Sequence, residues 1–264
     1  MSGLEYDAAA SVRLERAYTT ADVQAQRDAV RRSLDAQPGE RILDLGSGPG
    51  ILACELAGEV GPRGKVTAVD VSAEMNAIAS RRIAEADLAG RIDVLAGDAA
   101  ALAFPDASFD AAVSTQVIEY VDDVDLALRE IRRVLRPGGR LVLLDTDWDT
   151  LVWSSRDDTR SGQILGAWSR HASHAHLPRT LAPRLTGCGF AIDEIFALTL
   201  LNTSYSQATY TYNLAGLIAD FVRNQAAVPG DELDAWLAEL EALDAYGAYF
   251  FSLNRYGFRV TRTR

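Results

Sequence analysis

The sequence predicts an α/β fold in which a mostly parallel sheet carries helices on both faces. Between residues 41 and 144, short apolar runs of strand length alternate with segments of helical spacing. A glycine-rich turn, residues 46–50, joins the first apolar run to the first of these helices, and Asp70 ends the second run. Alternation of this kind builds a parallel sheet, whose ligands bind where the strands end.

The glycine-rich turn lies between a predicted strand, residues 41–46, and a predicted helix, residues 49–59. Before it, Thr20 is expected to cap a helix that runs through Ala36, and a proline–glycine pair at 38–39 ends that helix. Glycines let the backbone turn sharply and approach a ligand with no Cβ in the way. The turn is therefore a candidate ligand-binding loop.

The second strand, residues 65–70, ends in a carboxylate. An acid at this place can accept hydrogen bonds from both hydroxyls of a ribose, and Asp70 occupies it here. Ser72 is expected to cap the following helix, which extends to Ala86. We therefore predict that a nucleoside-bearing cofactor lies across the ends of the first two strands.

Three further strands continue the alternation. They are expected at residues 91–95, 110–114 and 140–144. An amphipathic helix capped by Asp122 or Asp123 leads into the last of them. The arginines of this helix are expected on a solvated face: Arg129, Arg132 and Arg133.

The pattern weakens after residue 148, where tryptophans and histidines cluster without a clear period. Beyond this stretch Pro178 is placed to open a helix over residues 179–186. The remaining elements are expected to be a strand at 190–196, helices near 207–224 and 231–246, and a final strand at 249–260.

Composition limits the classes of partner. The chain has 264 residues and a formal net charge of −11, which opposes binding to nucleic-acid phosphates and to anionic membrane surfaces. No apolar run is long enough to span a membrane, and no signal peptide is evident. Cys54 and Cys188 are too few for a disulfide framework. We expect a cytoplasmic protein that binds neither nucleic acid nor membrane.

Taken as an ordered set, these motifs resemble the class I methyltransferases that use S-adenosylmethionine. Among them the chain is similar to the small-molecule enzymes grouped with ubiquinone/menaquinone biosynthesis methyltransferases. The matching segments are Asp44 to Gly50, Asp70 to Met75, Gly97 to Ala99, Phe104 to Asp110 and Val134 to Gly139. The resemblance implies a Rossmann-like, seven-stranded sheet with N-terminal helices and a helical lid insert before the last strand.

We predict a single domain, residues 1–264, in three parts. Residues 1–37 form an N-terminal helical cap, residues 38–146 the cofactor-binding core, and residues 147–264 the acceptor-side and lid region with the last two strands. A homodimer is among the expected assemblies.

The resemblance also implies roles for individual residues. Asp70 would hold the ribose, Met75 would pack against adenine, and Asp98 with the Ala99 N–H would read the adenine edge. The glycine loop would lie beside the methionine part, with Asp44 near its amino group. The other residues expected around the cofactor are Gly46, Ser47, Gly48, Gly50, Val71, Thr115, Gln116 and an N-terminal aromatic, Tyr18 or Tyr6.

The sequence also contains signals of two other kinds of site. A nicotinamide dinucleotide favours the spacing G-x-G-x-x-G, whereas this chain has G-x-G-x-G with isoleucine at position 51. The histidines at 171, 174 and 176 have metal-ligand spacing, but no acidic or cysteine partner lies at a telling distance along the chain. We therefore predict S-adenosylmethionine and no metal.

We expect methyl transfer to an oxygen, nitrogen or carbon nucleophile of a small molecule, with S-adenosylhomocysteine as the product and specialised metabolism as one setting. His171 and Asp147 are the candidate general bases. The segment 145–149 is either a solvated loop or an acidic, aromatic wall for a cationic acceptor. The alternatives are a non-methylating or repurposed protein on the same fold, and an NAD-dependent oxidoreductase.

Overall fold

The computed structural model describes residues 15–264, so Tyr6 and residues 1–14 of the predicted cap lie outside the described residues. The helices are α1 (Ala21–Leu34), α2 (Ile51–Val60), α3 (Ala73–Glu85), α4 (Val124–Val134), α5 (Asp158–Trp168), α6 (Pro178–Gly187), α7 (Tyr210–Asn224) and α8 (Gly230–Ala245). The strands are β1 (Arg41–Leu45), β2 (Lys65–Asp70), β3 (Ile92–Ala96), β4 (Phe109–Thr115), β5 (Leu135–Thr146), β6 (Val152–Trp153), β7 (Phe190–Asn202) and β8 (Phe251–Arg262).

The strands are hydrogen bonded in the order β3-β2-β1-β4-β5-β8-β6, and β7 pairs with β8. All four pairings among β1 to β5 are parallel, which confirms the predicted α/β class with helices on both faces. The sheet has eight strands rather than seven, because Val152–Trp153 forms a short strand antiparallel to β8. A two-residue strand has no period that a sequence could reveal.

The direction of chain progression reverses beside β1. The chain runs outward from β1 through β2 to β3, and then returns to β4 on the other side of β1. Leu45 at the end of β1 is paired with Ser114 near the end of β4. A reversal of this kind opens a crevice outside the carboxyl ends of the strands, where ligands of open α/β sheets bind.

The described chain divides into two compact units. The helical unit takes residues up to Gln26, Asp147–Ala175 and Leu198–Arg255. The sheet unit takes Arg27–Thr146, His176–Ala197 and Tyr256–Arg264. We retain the single-domain organisation as a proposal.

Each unit has its own apolar core. The core of the sheet unit joins β1, β4 and β5 to α4 and α6, with Leu43, Leu128 and Leu181 fully buried. In the core of the helical unit, the ring of Trp153 meets the ring of Trp236 edge to face, with 5.2 Å between centroids. Among the described helices, none is long and apolar enough to cross a bilayer.

Several helix starts follow the sequence signals. The side chain of Ser72 accepts a hydrogen bond from the Met75 N–H at 3.2 Å, and Asp123 does the same for Leu126 at 2.9 Å. Pro178 is the first residue of α6, where its missing N–H costs nothing. These caps explain why the helix starts were predictable.

Three elements differ from expectation. Helix α5 was not predicted, because its two glycines, Gly162 and Gly166, interrupt the apolar spacing; Asp157 caps it by accepting from the Arg160 N–H at 3.0 Å. Strand β7 continues to Asn202 rather than ending at 196. Strand β5 begins at Leu135 rather than at 140, and its register with β4 shifts between Phe109 and Ala111.

An ion pair links the end of α1, the residue before β1 and strand β5 in the sheet unit. Arg140 donates two hydrogen bonds to the Glu40 carboxylate, at 3.0 and 2.6 Å, and its Nε donates to the Leu34 carbonyl at 2.9 Å. Burial alone would raise the pKa of Glu40, but hydrogen bonds from Arg140 and the Gln37 N–H outweigh burial and lower it.

We predict that Glu40→Gln lowers the free energy of unfolding by about 2 kcal/mol at pH 7, since it leaves Arg140 without its counter-ion. Because the folded pKa of Glu40 lies below its unfolded value of 4.5, the stabilisation is complete above that pH and is lost as the pH falls through the folded pKa. Urea unfolding at pH 7 and pH 3.5 measures both effects. Equal losses from Glu40→Gln and from the exposed control Glu85→Gln would contradict this account.

Candidate active site

The glycine loop after β1 has a backbone that requires glycine. Gly46, Gly48 and Gly50 have φ angles of 69°, 50° and 75°, in the left-handed region. A Cβ at Gly46 would lie 2.0 Å from a methyl carbon of Val117, and one at Gly50 would lie 2.9 Å from the Cβ of Ala79. The loop is therefore held between the segment after β4 and helix α3, with no room for a Cβ at Gly46 or Gly50.

Asp70 fixes the position of this loop. Its Oδ2 accepts a hydrogen bond from the Gly48 N–H at 2.8 Å, and its Oδ1 accepts from the Ser72 N–H at 2.8 Å. The backbone carbonyl of Val69 accepts from the N–H groups of Gly46 and Ser47. Each carboxylate oxygen retains a further lone pair, so Asp70 can hold the loop and still accept from a ligand hydroxyl.

Asp44, near the end of β1, is the most perturbed acid of the loop region. Its side chain is 2% exposed, and its Oδ2 has no hydrogen-bond partner among residues 15–264. Burial raises the pKa of Asp44 to about 7, and the negative charges of Asp70 and Glu55 add to this, while the Ala53 N–H opposes it. A buried carboxylate without a counter-ion is a natural site for a ligand cation.

Further buried polar groups lie at the ends of β1 and β4. The hydroxyls of Ser47 and Ser114 and the amide nitrogen of Gln116 also lack partners within the described part of the chain. Gln116 has a φ of 59°, and its Oε1 accepts from the Thr146 hydroxyl at 2.9 Å. Buried donors and acceptors are normally paired. This set, at the ends of β1 and β4, therefore favours a polar ligand.

The residues expected around adenine lie on the β2–β3 side. Val71, directly after Asp70, is 74% exposed, so an apolar side chain is available to a ligand at the strand end. Asp98 is exposed and its Oδ1 accepts from the Ala100 N–H at 2.8 Å, while Ala99 is buried. Met75 is buried on α3, and its proposed contact with adenine stays a prediction.

Sequence reasoning missed Glu119, which lies at the same edge as Asp145, the first residue of the predicted segment 145–149. Glu119 and Asp145 are fully buried, and Asp145 accepts from the N–H groups of Val117 and Glu119 at 3.2 and 3.4 Å. Glu119 accepts from the Thr146 N–H at 3.2 Å. The sequence signal that could have revealed Glu119 is its position as a single acid inside the apolar segment after β4. These bonds fix the backbone that carries Thr115 and Gln116.

His171 lies in the helical unit, inside an aromatic cluster. Its fully buried ring stacks on Trp168 with 3.7 Å between centroids and meets Trp148 edge to face at 4.5 Å. Its Nδ1 is 2.7 Å from the Trp168 carbonyl oxygen. Burial lowers the pKa of His171 to about 4, so the ring is neutral at pH 7. Its predicted contact with Trp168 is present; its role as a base stays a prediction.

Two other predicted residues also belong to the helical unit. Asp147 is buried and its Oδ1 accepts from the Asp149 N–H at 3.3 Å, so it starts a short turn after β5. Tyr18 is partly buried against the apolar core of that unit. The structure therefore gathers most predicted cofactor residues in the sheet unit: Asp44, Gly46, Ser47, Gly48, Gly50, Asp70, Val71, Met75, Asp98, Ala99, Thr115 and Gln116.

Comparisons with known proteins agree with this geometry. The family described as "Methyltransferase domain" matches residues 43–143. The ubiquinone/menaquinone biosynthesis C-methyltransferase of Vibrio cholerae is 37% identical over 183 residues, which is 69% of this chain and 69% of that protein.

A second relative covers more of the chain. The uncharacterized 37.1 kDa protein in transposon Tn4556 of Streptomyces fradiae is 33% identical over 250 residues, 92% of this chain and 68% of that protein. Among solved structures, the 4+2 cyclase SpnF is similar with a TM-score of 0.60 and 25% identity, over 91% of this chain and 81% of that one.

We predict that Asp44→Asn stabilises the ligand-free protein at pH 8 and has little effect at pH 4.5. The folded pKa of Asp44, about 7, lies above its unfolded value of 3.8, so the folded state retains a proton that the unfolded chain releases between these values. Stability therefore falls as the pH rises from about 4 to about 7, and the neutral amide avoids this loss.

The expected gain at pH 8, relative to pH 4.5, is on the order of 2 to 4 kcal/mol, since one pKa unit corresponds to about 1.4 kcal/mol. Thermal and urea unfolding of the ligand-free protein measure it. Asp87→Asn, at an exposed aspartate, is the control. An effect of Asp44→Asn that is the same at both pH values would show that ionisation of Asp44 does not destabilise the folded protein.

Proposed function

Because the chain belongs to the class I S-adenosylmethionine-dependent methyltransferases, we propose that it methylates an oxygen, nitrogen or carbon nucleophile of a small molecule. Its cofactor is S-adenosylmethionine, which supplies an electrophilic sulfonium methyl group when bound and leaves as S-adenosylhomocysteine. The nicotinamide alternative is therefore set aside.

The observation that carries the proposal is the unsatisfied carboxylate of Asp44. A methionine moiety bears a cationic amino group, which matches a buried carboxylate whose pKa is raised to about 7. The unpartnered groups of Ser47 and Gln116 offer further hydrogen bonds to the same polar end of the ligand. Asp70 would accept from the ribose hydroxyls and Val71 would pack against the base. These residue types fit the cofactor.

The chain's contribution to the reaction is mainly positioning. The glycine loop and Asp70 are fixed by backbone hydrogen bonds, so the residues that would hold the donor need little rearrangement. Holding two reactants in line can supply a large share of the rate without any covalent intermediate. Where the acceptor must lose a proton, His171 and Asp147 are the candidate bases; burial lowers the pKa of His171 to about 4, so its ring is neutral and able to accept a proton at pH 7.

The acceptor is proposed to be a small molecule, and a carbon nucleophile is the first class to test. The Vibrio cholerae relative is named a C-methyltransferase, which supports this order. The net charge of −11 disfavours nucleic-acid acceptors. Activated aromatic rings and enolates should therefore head the panel, followed by amines and hydroxyls.

A second candidate function is a non-methylating reaction on the same fold. The similarity to SpnF, a 4+2 cyclase, favours keeping this alternative. Mass spectrometry separates the two, because methylation adds one methyl group to the acceptor and produces S-adenosylhomocysteine, whereas cyclisation leaves the acceptor mass unchanged.

We predict that Asp70→Asn weakens S-adenosylhomocysteine binding about tenfold or more, because it removes a charged acceptor while preserving the shape of the side chain. Calorimetric titration measures the affinity, with Asp87→Asn as an exposed aspartate control. Equal affinity in Asp70→Asn and the parent protein would overturn the proposed cofactor site.

Labelled methyl transfer to the acceptor panel tests the reaction itself. Product formed by the parent protein and reduced in Asp70→Asn supports the proposed function. Tight S-adenosylhomocysteine binding with turnover of an acceptor but no label in the product would favour the second candidate.

A further inference from the structure

A cavity lined mainly by arginines lies on the sheet unit, at the edge opposite the glycine loop. Its volume is about 380 Å³, and its charged lining is Arg129, Arg132, Arg133, Arg262 and Asp106. Three of these arginines come from the last two turns of α4, just before β5 begins, and Asp106 precedes β4. The cavity is therefore near the starts of these strands, whereas the candidate cofactor residues lie at strand ends.

Arg133 is a fixed part of the cavity wall. It donates to the Glu130 carboxylate at 2.8 Å, to Asp106 at 2.9 Å, and to the Leu102 and Phe104 carbonyls at 2.8 and 2.7 Å. The Glu130 and Asp106 carboxylates raise its pKa above the usual value. Arg133 is partly exposed, as expected, but its charge is already compensated by these two acids.

The other three arginines have no carboxylate partner among the described residues. The Nε of Arg132 donates to the Gly189 carbonyl at 3.3 Å, and Arg262 donates to backbone carbonyls at the end of α4. Arg129 is exposed and makes no hydrogen bond or ion pair with residues 15–264. The nearby acid Asp125 is paired with Arg184 at 2.7 Å, so it does not compensate them.

Arg262 also has an unsatisfied hydrogen-bond donor. Its Nε is buried and has no hydrogen-bond partner within the described part of the chain. Burial and the positive charge of Arg132 lower its pKa, and Asp106 offsets this in part. Two guanidinium groups that repel each other across a cavity are stabilised by an anion between them.

We propose that this arginine cavity binds a phosphate-bearing small molecule. A guanidinium group matches the geometry of phosphate oxygens and can donate two hydrogen bonds at once. The volume lies in the range of small-molecule pockets, about 300–1,000 Å³. A local excess of arginine is also unusual for a chain with net charge −11, whose acids outnumber its bases. The site is separate from the proposed cofactor site and does not depend on methyl transfer.

Pyrophosphate is the probe. Calorimetric titration of the full chain at constant ionic strength should show saturable binding at one site. The double variant Arg129→Gln/Arg132→Gln should weaken this binding about tenfold or more, since it removes two charged donors. Arg63→Gln, an exposed arginine in the turn before β2, is the matched control and should leave the affinity unchanged.

S-adenosylhomocysteine binding, measured on the same samples, checks that each variant is folded and should be equal in all of them. Two results would overturn the proposal. One is an absence of saturable pyrophosphate binding at millimolar concentration, which would leave Arg132 and Arg262 with the structural role of donating to backbone carbonyls. The other is an equal loss in Arg63→Gln and the double variant, which would indicate unspecific attraction.

Discussion

The buried carboxylate of Asp44 is the constraint on which the candidate site depends. This acid is buried at the end of β1, and its pKa is about 7 because burial and the negative charges of Asp70 and Glu55 disfavour its ionised form. Such a group lowers the stability of the ligand-free protein at neutral pH. A ligand cation bound to Asp44 would neutralise this charge. On our proposal, the protein therefore loses some stability in the ligand-free state in order to bind the cofactor.

The two edges of the sheet in the sheet unit carry different charged groups. The carboxyl ends of the strands carry the buried acids Asp44, Glu119 and Asp145 and the half-buried Asp70. Near the starts of β4 and β5, four arginines line the cavity described above, although acids such as Asp106 also lie there. Parallel strands bring like ends to one edge, so residues distant in sequence act together there. By our proposals, the edge at the carboxyl ends of the strands binds the cationic methyl donor, and the opposite edge binds an anion.

The sheet unit was largely predictable because its signals are local. Ser72 and Asp123 cap helices, and three glycines mark a turn whose positive φ angles few other residues adopt. In the helical unit, α7 and α8 were predicted close to their observed bounds, but α5 was not, because it contains glycines. The environment of His171 was not predictable in full, because it also depends on Trp148, which is distant in sequence. The role of Glu119 was hidden for a related reason: one acid in an apolar segment acquires partners only when β4 and β5 pair.

The most direct test of the account is the number of protons released when S-adenosylmethionine binds at pH 7. Titration calorimetry in two buffers of different ionisation enthalpy measures it. A carboxyl with a pKa of about 7 is half protonated at that pH, and a bound cation should ionise it fully. The parent protein should therefore release about half a proton more than Asp44→Asn. Equal proton release in the two proteins would contradict the assignment of Asp44 as the cation site.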